Sequence, residues 1–145
     1  MREITQLAVH CAATRPKMDI GVKEIRRWHL ERGWRDIGYH YVIGRDGTVE
    51  DGRPNQDAGA HIAGHNKNTL GICLVGGVDD NLKPEANFTD AQMKALRTLL
   101  TFLGTTYNVP RENWLGHRDF GANKACPSFD VQAWLKTGRL TNPNG

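Results

Sequence analysis

The segment that most restricts the fold of this chain is an uninterrupted apolar run at residues 71–75. It reads Gly-Ile-Cys-Leu-Val, and every side chain after the glycine is apolar. A strand without a polar side chain on either face has to be covered on both faces. The run therefore predicts a central strand, in a sheet that has other elements packed against each side.

Three further segments predict the partners of this strand. Residues 4–11 are apolar with a β-branched bias, and residues 39–43 form another strand pattern. Asp46-Gly47 is a hairpin signal that leads into the strand after it. A short strand is expected at 112–116. These segments predict a sheet of mixed strand direction.

Helical spacing of apolar residues predicts the elements that cover the sheet. The first helix is expected over 21–32, with Asp19 as its cap. The second begins with a capping box at Thr89 and is expected to end at Gly104, and the last runs from about 130 to 136. We predict an α/β fold: a central mixed β-sheet of about five strands, flanked by three main helices.

The length of 145 residues is that of one domain, so we assign 1–145 to a single unit with a core at about 4–137 and a tail at 138–145. No apolar stretch approaches the roughly 18 residues of a membrane span, and the first residues lack the pattern of a secretory signal. We expect a monomer that is made in the cytoplasm and does not enter the membrane. The net charge of +3 is too small to indicate nucleic-acid binding.

Histidine and cysteine spacing leaves the chemistry open. The six histidines and three cysteines contain no His-Glu-x-x-His or Cys-x-x-Cys pattern. His10 with His117 and Cys126 is one possible metal-binding arrangement among many. By residue type alone, His10 and Cys126 are more typical of a buried core, Lys124 of a solvated surface and Tyr39 of strand packing.

Five segments, in the same order along the chain, together resemble the type 2 N-acetylmuramoyl-L-alanine amidases. The resemblance runs from about residue 7 to 135. The segments are Val-His-Cys-Ala-Ala-Thr at 9–14, Gly-Tyr-His-Tyr-Val-Ile at 38–43, Arg-Asp-Gly-Thr-Val-Glu at 45–50, Gly-Ile-Cys-Leu-Val-Gly-Gly at 71–77 and Lys-Ala-Cys-Pro-Ser-Phe-Asp at 124–130.

The resemblance implies a specific site. It implies one Zn²⁺ per chain, bound by His10, His117 and Cys126. It also implies catalytic roles for Tyr39, which would hold the attacking water or relay its proton, and for Lys124, which would stabilise the oxyanion.

The remaining residues of interest divide into substrate contacts and core. The loop at 53–69 borders the substrate groove in such amidases, so we expect His61 and Asn66 to contact the substrate. His40 alternates with its neighbour Tyr39 and is expected to face the other side of the sheet, away from the metal. Cys11 and Cys73 lie in apolar strands and are predicted to be core residues.

The function implied is hydrolysis of the bond between N-acetylmuramic acid and L-alanine in peptidoglycan. The chain would be a phage or prophage endolysin, reaching the wall in the periplasm after another protein opens the membrane. A cytosolic recycling amidase also fits. A second class is a recognition module that binds peptidoglycan without cutting it, and such modules typically lack the cysteine that is present here as Cys126. A third hypothesis is inhibition of a phage RNA polymerase, because a phage member of the family also binds that enzyme.

Overall fold

The order of strands and helices is that of an α/β protein. The computed structural model describes residues 2–121 and 125–142. Over these residues the elements are β1 (Gln6–Cys11), α1 (Val22–Glu31), β2 (Tyr41–Ile43), β3 (Val49–Asp51), β4 (Thr69–Leu74), α2 (Asp90–Tyr107), β5 (Trp114–Gly116) and α3 (Val131–Thr137). The predicted five strands and three main helices are confirmed. No helix in the described part combines the length and the apolar character that a membrane crossing requires.

The sheet has the strand order β3-β2-β4-β1-β5, with β4 at its centre. The strands β2, β4, β1 and β5 run parallel, and β3 is antiparallel because it follows β2 through a hairpin. All six residues of β4 are buried. The prediction of a mixed sheet with a central strand near 71–75 is therefore confirmed.

Two hydrophobic layers cover the two faces of the sheet. Ile72 and Leu74 pack into the layer that contains α2 and α3. Cys73 and Val75 point the other way, into the layer built around Val22 and Ile25 of α1. Side chains alternate along a strand. His10, which lies between two residues of the first layer, consequently projects from the same face as α1.

The cap of α1 differs from the sequence prediction. Gly21, not Asp19, is the N-cap residue. The Val22 N–H donates to Glu50 Oε1 at 3.1 Å, so a carboxylate from β3 satisfies the start of the helix. A side chain on residue 21 would collide with that carboxylate. The predicted Asp19 cap is wrong because a partner distant in sequence takes its place.

The second helix begins as predicted and ends later than predicted. Thr89 Oγ1 accepts from the Gln92 N–H at 3.1 Å, and Gln92 Oε1 accepts from the Thr89 N–H at 3.0 Å, which confirms the capping box. The predicted end at Gly104 is wrong. Gly104 lies within the helix, where a side chain would collide with the Trp114 indole that packs against its backbone. Asn108 ends the helix in the left-handed conformation at φ 59°.

Candidate metal centre

The C-terminal ends of β1 and β5 place two histidines side by side. The strands are parallel, and Val9 pairs with Gly116. The residues that follow, His10 and His117, therefore meet at the same edge of the sheet. Their ring centroids are 4.7 Å apart. His117 begins a short 3₁₀-helix, His117–Phe120, which turns the chain away from the sheet.

Cys126 joins these two histidines in a group that could hold a metal ion. Its Sγ lies 3.8 Å from His10 Nδ1. One ligand atom from each of His10, His117 and Cys126 lies within 4.8 Å of the others. The Cys11 N–H donates to Cys126 Sγ at 3.2 Å, a contact that favours the thiolate. The fold thus brings His10 together with two side chains that are far from it in sequence.

The donor set fits zinc. Zinc binds thiolate at about 2.3 Å and imidazole nitrogen at about 2.0–2.1 Å, which puts two such ligands about 3.5 Å apart at a tetrahedral angle. The distance of 3.8 Å between Cys126 Sγ and His10 Nδ1 is close to this value. Imidazole and thiolate are ligands that zinc prefers and that magnesium and calcium do not. Three protein ligands also leave one position free, as catalytic zinc requires.

Without a bound metal, the Cys126 side chain is expected to be a protonated thiol. A hydrogen bond with the Cys11 side chain and burial both raise the pKa of Cys126 well above its usual value. A metal has to displace that proton, because only the thiolate is a ligand. Zinc binding at this group is therefore expected to release a proton and to weaken as the pH falls.

Tyr39 lies beside the three candidate ligands. Its ring centroid is 5.1 Å from that of His10. Burial and the neighbouring cysteines raise the pKa of Tyr39 well above its usual value. The phenol is therefore neutral at physiological pH and can donate a hydrogen bond. Lys124, the other residue predicted to be catalytic, lies outside the described residues.

The two predicted substrate contacts occupy the loop between β3 and β4. His61 Nδ1 lies 2.8 Å from His10 Nε2, so this side chain touches a candidate metal ligand. Burial lowers the pKa of His61 to about 3, so its imidazole is neutral. Asn66 Oδ1 accepts from the backbone N–H groups of His61 and Ile62 at 2.8 and 2.9 Å and so holds the loop in shape.

The contact between His61 and His10 is a feature that the sequence reasoning missed. No spacing rule connects two histidines that are separated by a helix and a hairpin. One signal was present: Gly71 opens an otherwise apolar strand. A side chain at residue 71 would collide with the His61 ring. The glycine indicates that another group lies close to the backbone at this position, but it does not identify that group.

The residues predicted to lie outside the metal site have structural contacts. His40 is buried, its Nδ1 accepts from the Gly71 N–H at 3.0 Å, and burial lowers its pKa to about 4. Cys73 is fully buried and Cys11 is 7% exposed, which confirms both as core residues. A cavity of about 450 Å³ near the start of β1 is lined by none of the three candidate ligands.

Comparison with known proteins identifies the family. The pattern of the family described as N-acetylmuramoyl-L-alanine amidase matches residues 1–129. The endolysin of Enterobacteria phage K11 is 53% identical over 139 residues, which make up 96% of this chain and 90% of that protein. The endolysin of Escherichia phage T7 is 51% identical over 142 residues, or 96% of this chain and 91% of that protein.

A solved structure agrees with these sequence matches. The N-acetylmuramoyl-L-alanine amidase LysC from Clostridium intestinale superposes with a TM-score of 0.78 at 26% identity, covering 94% of this chain and 87% of that one. The comparison by structure and the comparison by sequence thus indicate the same family over nearly the whole length of the chain. The chain belongs to the N-acetylmuramoyl-L-alanine amidase family and is an amidase.

Proposed function

We propose that this amidase is zinc-dependent and hydrolyses the bond between N-acetylmuramic acid and L-alanine in peptidoglycan. The observation that carries the proposal is the grouping of His10, His117 and Cys126 within 4.8 Å at one edge of the sheet. Two neutral imidazoles and one thiolate leave a zinc ion with a net charge of +1. A site with that charge remains electrophilic.

The zinc ion and the protein divide the chemistry between them. When bound, zinc acts as a Lewis acid that lowers the pKa of water to about 7 and polarises a carbonyl group. Hydrolysis adds a water oxygen to the carbonyl carbon and breaks the carbon–nitrogen bond. The protein has to position the water, stabilise the oxyanion and supply a proton to the departing nitrogen.

Tyr39 and Lys124 are our candidates for these roles. The neutral phenol of Tyr39 stands next to His10, where it can hold the attacking water or relay its proton. Lys124 would offer an ammonium group to the developing oxyanion. Substrate contacts of His61 and Asn66 stay predictions. The position of both residues in the loop between β3 and β4 is compatible with such contacts.

The relatives support a proposal about where the protein acts. The phage proteins that resemble this chain are endolysins. We therefore propose that the chain is made in the cytoplasm of an infected host, reaches the periplasm once the membrane is opened, and cuts the wall there. Inhibition of a phage RNA polymerase stays a prediction, as does a monomeric state.

Cys126 favours an enzyme over a recognition module, because a module that only binds peptidoglycan has no need of a third metal ligand. The test is mass analysis of the products released from purified peptidoglycan. We expect free stem peptides that begin with L-alanine, and we expect a chelator to abolish their release. Binding to peptidoglycan without any released peptide would instead support a recognition module.

A pair of cysteine variants tests the metal site directly. Cys126→Ala removes a charged ligand and is expected to lose most of the zinc, measured by elemental analysis, together with activity. Cys73→Ala is the matched control, since it removes a fully buried thiol outside the group. It should cost about 1–3 kcal/mol of unfolding free energy and keep its zinc. Full zinc content in Cys126→Ala would show that the third ligand is another residue.

A further inference from the structure

A chain of hydrogen bonds leads from the loop between β3 and β4 to His10. His61 Nδ1 and His10 Nε2 are 2.8 Å apart, with their rings nearly perpendicular at 84°. On the other side of the same ring, His61 Nε2 lies 3.2 Å from Thr69 Oγ1. Thr69 Oγ1 in turn donates to the His65 carbonyl oxygen at 2.8 Å. The chain therefore ends on an atom that can only accept.

Because the His65 carbonyl oxygen can only accept, it determines which atom donates in each of these hydrogen bonds. The Thr69 hydroxyl has one proton, and it is used on the His65 carbonyl, so towards His61 the oxygen acts as an acceptor. His61 Nε2 must then carry a proton. A neutral imidazole that is protonated at Nε2 has a bare Nδ1. His61 Nδ1 accordingly accepts, and His10 Nε2 donates.

The consequence for His10 is a defined tautomer. With its proton on Nε2, its lone pair is on Nδ1, the atom that lies 3.8 Å from Cys126 Sγ. We infer that His61 is a positioning residue for the metal site, which accepts the Nε2 proton of His10 and so presents the Nδ1 lone pair to the metal. This inference rests on the proposed function, because it requires that the group binds zinc.

Two glycines leave room for the His61 ring beside the backbone, and this supports the inference independently. A Cβ at Gly71 would lie 2.8 Å from His61 Cγ and Nδ1, and a Cβ at Gly59 would lie 2.6 Å from His61 Cδ2. Neither glycine has a left-handed φ, so what each position requires is the absence of a side chain. Because the backbone at both glycines lies close to the ring, the ring has little room to turn away from His10 and Thr69.

Zinc affinity is the first measurement, made by competition with a chelator. Outer partners of metal-binding histidines are commonly worth about 10- to 100-fold in affinity. We expect a loss of that size in His61→Leu, which has similar bulk and no acceptor. We expect recovery of most of it in His61→Asn, because Oδ1 of an asparagine can occupy the position of Nδ1. Unchanged affinity in His61→Leu would overturn the inference.

Thr69 provides a second, milder pair of variants. Thr69→Ser keeps the hydroxyl and should keep the zinc affinity, whereas Thr69→Val removes the group that directs the His61 proton and should lower it. Val109→Ala controls for general loss of stability, since Val109 packs in the layer on the other face of the sheet. If Val109→Ala lowered zinc affinity as much as His61→Leu, the effect would be one of stability and the inference would be wrong.

The tautomer itself can be observed in the zinc-loaded protein. Long-range proton–nitrogen correlation spectra of ¹⁵N-histidine-labelled chain distinguish protonated ring nitrogens from bare ones. We expect a proton on Nε2 of both His10 and His61. A bare Nε2 on His10 would refute the inference. Neither the zinc-affinity measurement nor the spectrum uses peptidoglycan. If both gave the expected results and the amidase assay failed, the proposed function would be contradicted and this inference would not.

Discussion

At the scale of single residues, the candidate ligands differ in how they are held. His10 is 1% exposed and belongs to a strand, whereas His117 and Cys126 are half-buried and belong to the segments that follow β5. Burial of His10 fixes one ligand before any metal binds. His117 and Cys126 are more exposed, so we expect water and substrate to reach the site from their side. Tyr39 lies beside the fixed ligand, and this is the position from which we expect it to act.

The first prediction concerns Tyr39 and Lys124, which we assign to the transition state and not to the metal. Removing one preorganised donor commonly lowers turnover by about 100- to 1000-fold. Tyr39→Phe and Lys124→Ala are each expected to fall by that amount on purified peptidoglycan. Zinc content, measured on the same samples, should not change, because a neutral phenol and an ammonium are not usual zinc ligands.

The double variant gives a further check on this assignment. If the two residues act on the same step, their combined loss should be smaller than the product of the single losses. Zinc loss in either single variant would place that residue among the ligands. Near-normal turnover in zinc-loaded Lys124→Ala would remove Lys124 from the mechanism.

At the scale of elements, the cap of α2 also joins the helix to the sheet. Gln92 is fully buried, and its Nε2 donates to the carbonyl oxygens of Ile43 and Val75 at 3.1 and 2.8 Å. Its Oε1 accepts from the Arg45 guanidinium at 3.0 Å, in addition to closing the capping box. The side chain that completes a local helix signal thus also anchors the C-terminal ends of β2 and β4.

The second prediction follows from these contacts. Gln92→Leu fits the buried volume but removes the acceptor of the Thr89 N–H and one acceptor of the Arg45 guanidinium. It also takes one of two donors from each of the two carbonyl oxygens, which keep the Val75 N–H and the Arg45 guanidinium as partners. A buried group left unpaired costs about 1–3 kcal/mol, and each further hydrogen bond lost costs about 0.5–1.5 kcal/mol. We expect the free energy of unfolding, measured by urea titration, to fall by about 3 kcal/mol or more.

Thr98→Ala is the control for this substitution. Thr98 lies on the same helix, and its hydroxyl donates only to the Lys94 carbonyl at an exposed position. Its loss should change the unfolding free energy by less than about 0.5 kcal/mol. Equal effects of the two substitutions would mean that helix propensity, and not the link to the sheet, determines the cost.

At the scale of the whole molecule, two histidines outside the candidate metal group are buried in their neutral forms. His29 Nδ1 accepts from the Gly38 N–H at 2.9 Å, and burial lowers the pKa of His29 to about 4, from 6.5. Burial likewise lowers the pKa of His40 to about 4, from 6.5. The His29 side chain joins α1 to the segment that leads into β2, and the His40 side chain joins that segment to β4.

The third prediction is acid sensitivity in a defined window. Between pH 6.5 and about 4, the unfolded chain binds protons at His29 and His40 that the folded chain does not bind. The stability contributed by each neutral histidine is therefore fully present above pH 6.5 and is lost as the pH falls towards 4. Each should contribute a slope of up to about 1.4 kcal/mol per pH unit, measured by urea unfolding.

His29→Asn separates this effect from loss of zinc at low pH. Asparagine keeps an acceptor for the Gly38 N–H but does not titrate. Zinc release affects both proteins, so the difference between their slopes reports His29. A variant with the same pH dependence as the parent chain would show that His29 is not held neutral by the fold.

Local sequence patterns were enough to predict the kinds of elements, their order and the approximate position of each. The apolar run at 71–75 predicted a strand covered on both faces, and the capping box at Thr89 predicted the start of α2, because both signals depend on residues that are near one another in the chain. The resemblance to a family also named His10, His117 and Cys126. Spacing alone left that set as one among many.

Contacts between residues that are distant in the chain depend on the complete fold. His10 and His117 are neighbours because Val9 pairs with Gly116, and Glu50 replaces Asp19 at the cap of α1 because β3 passes beside the helix. The approach of His61 to His10 depends on the path of the loop between β3 and β4. Each of these contacts joins residues far apart in the chain, so its energy depends on strand register and packing, which local sequence patterns do not encode.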